Sequence, residues 1–168
     1  MSFHPTGLRW NEGELDMHKM LRVPQDYNPT SMFLSPFASN LLARSPLVAV
    51  GVLDSEAWPW TSLWGGEPGF SQSISPGVIG VTATVDREHD PVMQALMGKS
   101  KTGQAVKWEK DGGKMISALA IDLQNRKRVK LYGRSVVGVV SATQDEIGEI
   151  QLAVKIEQSL GMSTLFAV

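Results

Sequence analysis

Four apolar runs after residue 104 do most to limit what this chain can become: Ala105 to Glu109, Met115 to Asp122, Arg128 to Val140 and Ile150 to Gln158. They alternate or are rich in valine, and their separators, Asp111-Gly112-Gly113, Asp122 to Asn125 and Gln144 to Gly148, are good turn chemistry. Parallel pairing would need a crossover of a dozen or more residues between successive strands, and the stretch from Ala105 to Gln158 has no room for three of them. These strands must therefore pair antiparallel. Upstream, Leu47 to Leu53 reads as a buried strand, Trp60 to Trp64 follows at hairpin distance, and Val78 to Val85 adds another. Gly65-Gly66-Glu67-Pro68-Gly69 is a turn or loop. Six or more strands on short connections predict a mainly β fold, an antiparallel sheet closed or nearly closed into a barrel.

The first third has helical spacing instead. Asn11-Glu12-Gly13-Glu14 has the form of a capping box, after which Leu15, His18 and Leu21, or Met17, Met20 and Leu21, share one side of a short helix. Pro24 to Pro29 is a loop, and Ser35-Pro36 starts a second helix with an apolar stripe of Phe37, Leu41 and Leu42. Asp90-Pro91 caps a brief third helix through Leu96, stopped at Gly98 and Lys99. The expectation is one domain over 1–168, with the helical part, 1–45, packing on the barrel.

With 168 residues, 42% of them hydrophobic, the chain can bury a sizeable core without a disulfide or structural metal. It has no cysteine, which excludes disulfide scaffolds, thiolate metal sites and a cysteine nucleophile. Sixteen Lys and Arg against 17 Asp and Glu leave a net charge of -1, so nucleic acid is not an expected partner. No run approaches the roughly 18 apolar residues of a membrane span, and the amino terminus lacks a secretory pattern. A cytoplasmic protein with no membrane partner is expected. His4, His18 and His89 lack metal-ligand spacing, so no metal site is expected. His18 reads as a packing or capping residue, and His89 as part of a solvated charged turn. No G-x-S-x-G elbow occurs, and the glycine-rich segment is neither a P-loop nor a dinucleotide fingerprint.

Two segments can carry chemistry. In an extended Arg126-Lys127-Arg128-Val129-Lys130-Leu131-Tyr132-Gly133-Arg134, period two puts Arg126, Arg128, Lys130, Tyr132 and Arg134 on one face. Such a ladder can hold a phosphate by charge-assisted hydrogen bonds, or can simply be the solvated face of a barrel strand. In Trp58-Pro59-Trp60-Thr61-Ser62-Leu63-Trp64, alternation sends Trp60, Ser62 and Trp64 to one side and Thr61 and Leu63 to the other. That strand can flank a planar ligand, or its tryptophans can be core or interface residues.

The order of segments resembles the pyridoxamine 5'-phosphate oxidase-like family of flavin-nucleotide-binding split barrels. The resemblance rests on Leu47-Val48-Ala49-Val50-Gly51 with Asp54, Trp58 through Gly65, Glu67-Pro68-Gly69-Phe70, Asp90-Pro91, Ala120-Ile121-Asp122-Leu123, Asn125 through Arg128, Gly133-Arg134 and Glu157-Gln158-Ser159-Leu160-Gly161. It extends from about Glu12 to Gly161, closest to the branch found alone or leading longer flavin and iron–sulfur reductases. It implies a six-stranded antiparallel split β-barrel with short peripheral helices, forming a homodimer with FMN between the subunits. Carried over by residue, Trp60, Thr61, Ser62 and Leu63 run beside the flavin ring. Arg126 and Arg128 lie near the phosphate, and Gln158 and Ser159 near the ring or ribose. The chain departs from the branch at Tyr132, where an asparagine is common, and at Met162-Ser163-Thr164, where Asn-Cys-Pro is common.

The resulting expectation is an FMN-dependent oxidoreductase acting on a small-molecule substrate or electron donor, with no residue singled out as catalytic. The alternatives are a non-catalytic binding module for flavin, haem or another planar ligand, and a structural domain whose aromatic strand is a dimer seam.

Overall fold

The computed structural model describes residues 8–23, 28–98, 100–144 and 146–162. The readings at His4, 24–27, Lys99, Asp145, Ser163 and Thr164 lie outside them. In chain order the elements are α1 (Glu12–Leu21), β1 (Thr30–Ser31), α2 (Pro36–Arg44), β2 (Leu47–Leu53), β3 (Pro59–Gly65), β4 (Ser71–Ser75) and β5 (Val78–Asp86). After them come α3 (Pro91–Met97), β6 (Val106–Lys107), β7 (Lys114–Asp122), β8 (Lys127–Gln144) and β9 (Ile147–Met162).

The caps form as the residue types dictate. Asn11 accepts from Glu14 N while the Glu14 carboxylate accepts from Asn11 N, and Ser35 accepts from Ala38 N. Helix α2 buries Ala38, Leu41 and Leu42 against β4, β7, β8 and β9. Helix α1 buries none of its residues, and His18 instead meets Trp10 edge-on with ring centroids 4.7 Å apart.

The fold is mainly β: one antiparallel sheet in the order β3-β2-β7-β8-β9-β5-β4, with β1 on β9 and β6 on β8. Among the described residues the sheet has nine strands, where the residues read as six or more and the resemblance implies six. The unexpected ones are the two-residue ladder β1 and β4, while the strand expected over Ala105 to Glu109 shrinks to the two residues of β6. Strand β4, Ser-Gln-Ser-Ile-Ser, has the composition of a loop, and its pairing with β5 makes it a strand.

The sheet curls until β5 contacts β3 with no ladder joining them, leaving a split barrel open along one seam. Helix α3, which follows β5, packs on β2, β3 and β8. One carboxylate ties this helix to the strand across the seam. Asp90 accepts from Ser62 Oγ at 2.7 Å and Trp64 Nε1 at 2.8 Å on β3, and from Val92 N and Met93 N at 2.8 and 2.9 Å on α3. It is helix cap and cross-seam clamp in one side chain. Trp64 is 1% exposed, so its indole N–H has no access to solvent should Asp90 be lost.

Bulges set which side chains point inward. Along β9, Ile150, Leu152, Val154 and Ile156 are buried, every second residue. Opposite Tyr132 and Gly133, β9 pairs Gln158 and Ile156, so Glu157 is an extra residue and the parity flips to bury Ser159. Arg134 Nε holds the extra carboxylate at 3.0 Å. On β8 the extra residue is Val136, and burial moves from Val129, Leu131, Gly133 and Ser135 to Gly138 and Val140.

Asp90→Ala removes a cap, typically about 1 kcal/mol, and strands a buried indole N–H at about 1–3 kcal/mol more. Urea denaturation of this variant is expected to show a loss of about 3 kcal/mol. A loss under about 1 kcal/mol would show that the seam does not depend on Asp90.

Candidate functional site

Strand β3 presents two different faces. Inward, Ser62 and Trp64 are committed to Asp90. Trp60 lies at the strand's start and donates its indole N–H to Asp54 Oδ2 at 2.8 Å, while Asp54 Oδ1 accepts from Glu56 N and Trp58 N. These donors, the Trp60 N–H foremost, hold the Asp54 carboxyl below its ordinary value of 3.8. Outward, Thr61 and Leu63 are exposed.

Strand β8 behaves as its alternation predicts. Arg128 and Lys130 are exposed and Tyr132 half-buried on the outer face, with Val129 and Leu131 buried behind them. Arg126 precedes the strand in the β7–β8 turn, at a left-handed φ of 53°. On β9, the bulge sends Gln158 outward and Ser159 inward. The Ser159 hydroxyl donates to Phe33 O at 2.7 Å and accepts from Ser35 N at 3.3 Å, anchoring the entry to α2.

Thus Thr61, Leu63, Arg128 and Gln158 share the outer face, Trp60 and Ser62 serve turns and seam, and Ser159 is interior. The cross-strand register fixes what lies between the outward residues. One row reads Leu63, Ala49, Leu119, Lys130, Leu160, and the next reads Thr61, Gly51, Ser117, Tyr132, Gln158. One step the other way, Ile121 pairs with Arg128. Directly paired side chains sit about 5 Å apart, so Lys130 borders Leu119 and Arg128 borders Ile121.

Beside those cations lies an apolar groove of about 540 Å³, floored by Leu47, Ala49, Leu63, Leu119 and Ile121. Arg44 at the end of α2 and residues 122–125 of the β7–β8 turn wall one end. Asp122 there accepts from Asn125 Nδ2 at 2.8 Å and Asn125 N at 3.0 Å. These bonds, side chain first, together with the Arg44 charge, lower its carboxyl below the ordinary 3.8. The volume falls within the usual range for ligand pockets, about 300–1,000 Å³.

Arg44, Leu47, Ala49 and Leu119 were not among the sequence-derived site residues. Alternation could put the last three on one face of their strands, but no local signal says that β2 lies between β3 and β7. The structure also gathers Glu88, His89 and Glu146, whose ligand-type atoms lie within 4.8 Å of one another at an exposed turn. The His89 Nδ1 there faces the Asp86 carboxylate at 3.3 Å.

The sequence matches no protein-family model and no curated protein. Among solved structures, a HupZ variant from Group A Streptococcus is similar at 8% identity and TM-score 0.49, over 77% of this chain and 99% of that one. An F420 reductase is similar at 8% identity and TM-score 0.45, over 72% and 94%. A protein from Clostridium acetobutylicum described as related to a Bacillus subtilis general stress protein, of the pyridoxinephosphate oxidase family, has 11% identity and TM-score 0.43, over 77% and 87%. With TM-scores this low, the fold assignment rests on this chain's own ladders. Among the described residues no helix is long and apolar enough to cross a membrane.

Because the folded-state Asp54 carboxyl titrates below 3.8, its bonds contribute stability that is complete above that pH and lost as pH falls through the lower folded value. The Trp60 indole N–H resonance is expected to follow this titration with a midpoint below 3.8. A midpoint at or above 3.8 would contradict the Asp54–Trp60 bond.

Proposed function

We propose that this protein binds a flavin nucleotide, FMN, on the outer face of β3, β2, β7, β8 and β9, and acts as an oxidoreductase through it. One observation carries the reading: the register sets a strand of cations, Arg128 and Lys130, directly against the apolar floor Leu119 and Ile121. A ligand that is apolar and planar at one end and anionic at the other fits that juxtaposition. The family resemblance in sequence points to the same cofactor.

In this arrangement Arg128 and Lys130, with Arg126 at the turn, hold the phosphate by charge-assisted hydrogen bonds. Leu63, Ala49 and Leu119 cover the ring and exclude water, and Thr61 and Gln158 stand at the row beside it. Trp60 and Ser62 act from behind, fixing β3 through Asp54 and Asp90. Ser159 fixes the segment that leads to α2. When bound, FMN supplies hydride or electron transfer. Asp122 in the groove wall is held below its ordinary value, so it is ionised at neutral pH and does not serve as a proton donor.

The same face is a homodimer surface in this proposal. Leu47, Leu63, Ile121 and Leu123 are 48%, 67%, 43% and 85% exposed around one groove, a cluster that a second copy would cover. Sedimentation equilibrium is expected to give twice the chain mass of 18.3 kDa. Leu63→Asp should shift it toward the monomer, and a wild-type protein that stays monomeric at all concentrations would overturn this part.

The phosphate assignment is checked by paired titrations. Arg128→Ala is expected to weaken FMN at least about tenfold, some 1.4 kcal/mol, and to leave riboflavin nearly unchanged, because only FMN carries the phosphate. Equal losses for both ligands would refute it.

A further inference from the structure

The interior of the barrel has a feature that the outer surface does not need. Among strands β2, β4, β5, β7, β8 and β9 lies a cavity of about 20 Å³ whose walls are almost wholly apolar. Val48, Val50, Ile116, Leu131, Leu152 and Val154 line it, each at most 6% exposed. The space exists because large side chains are missing at three positions in the wall. At the Glu157 bulge, a Cβ on Gly133 would stand 2.1 Å from Lys155 O, so the close approach of the two strands admits glycine alone. No side chain reaches into the barrel from that point. Ala118 on β7 and Ser71 on β4 are the other two short residues.

Size and polarity together decide what such a space accepts. A cavity above about 10–15 Å³ has room for one water, but a buried water is held by two to four hydrogen bonds. The polar groups here do not supply them. Ser117 borders the cavity yet spends its hydroxyl proton on Gly51 O, at 3.3 Å. The surrounding main chain is engaged in the β2–β7, β7–β8 and β5–β9 ladders. What remains is Ser71, 1% exposed, whose Oγ has no hydrogen-bond partner among the described residues. One hydroxyl cannot repay a water for the bonds it leaves behind, whereas apolar cavities stay dry and take up uncharged apolar guests.

We propose that the barrel interior is a binding site for one small apolar gas molecule of the dioxygen class. The guest is held by dispersion contacts with the methyl groups of β2, β7, β8 and β9, beside the Ser71 hydroxyl. The site lies directly behind the outer groove. On β2, Val48 and Val50 face the cavity, while Ala49 between them faces the groove. One layer of sheet separates the two spaces, and occupancy of the inner one does not rest on the flavin reading.

Dioxygen itself is the probe, because it is paramagnetic and speeds the nuclear relaxation of methyl groups it touches. The full wild-type chain, methyl-labelled at Ile, Leu and Val, is compared under pressurised dioxygen and under argon. Methyl relaxation at Val50, Ile116, Leu131 and Leu152 is expected to rise severalfold more than at Leu41, Leu42 and Val92, which are fully buried away from the cavity. Ala118→Val narrows the space and is expected to bring the first group down to the level of the second. Ser71→Val narrows it from the opposite wall and serves if Ala118→Val does not fold; the wild-type comparison needs neither. Equal enhancement in the two groups of wild-type methyls would overturn the site. A nuclear Overhauser contact from water to the cavity methyls would show a resident water in place of a gas, and would overturn it as well.

Discussion

Asp90 is the constraint on which the rest of this structure depends. A sheet of this order cannot close by hydrogen bonds between β3 and β5, so something else must hold its two sides together. A carboxylate that accepts from Ser62 and Trp64 on one side and from two α3 amides on the other does so with groups that would each be costly to leave unpaired. The clamp also orients β3. With Ser62 and Trp64 drawn inward, Thr61 and Leu63 face outward.

The second constraint is parity. Each bulge inserts one residue and so exchanges the two faces of a strand from that point on. At Glu157 the exchange brings Gln158 to the outer face opposite Tyr132 and turns Ser159 inward, where it ties down the approach to α2. Arg134, last of the basic run, is occupied by that bulge through Glu157, which sets it apart from the exposed pair Arg128 and Lys130. Five strands then contribute to one surface on which a row of neutral polar side chains lies beside rows that combine apolar and cationic ones.

Much of the fold was legible in the sequence because its signals are local. The caps at Asn11, Ser35 and Asp90 were readable, as were most long strands and the outward phase of Arg128 and Lys130, each from a few neighbouring residues. Strand β4 was not, since Ser71 to Ser75 has no strand composition and owes its pairing to β5. The site was half legible. Alternation separated Thr61 and Leu63 from Ser62 and Trp64, but the partner of the inner pair, Asp90, lies 26 to 28 residues away. The place of Ser159 depended on a bulge that no local pattern marks. Ala49 and Leu119 joined the surface through strand order and Arg44 through the packing of α2 on the sheet, both long-range properties.

The central claim is that the outer surface is built for a planar ring with a phosphate tail. It is tested most directly by the visible absorption spectrum of the protein as purified, with mass spectrometry of whatever heat denaturation releases. The account predicts flavin bands, and a released molecule with the mass of FMN. A colourless protein that also leaves added FMN free through gel filtration would contradict it, and the cationic strand would then be an ordinary solvated face.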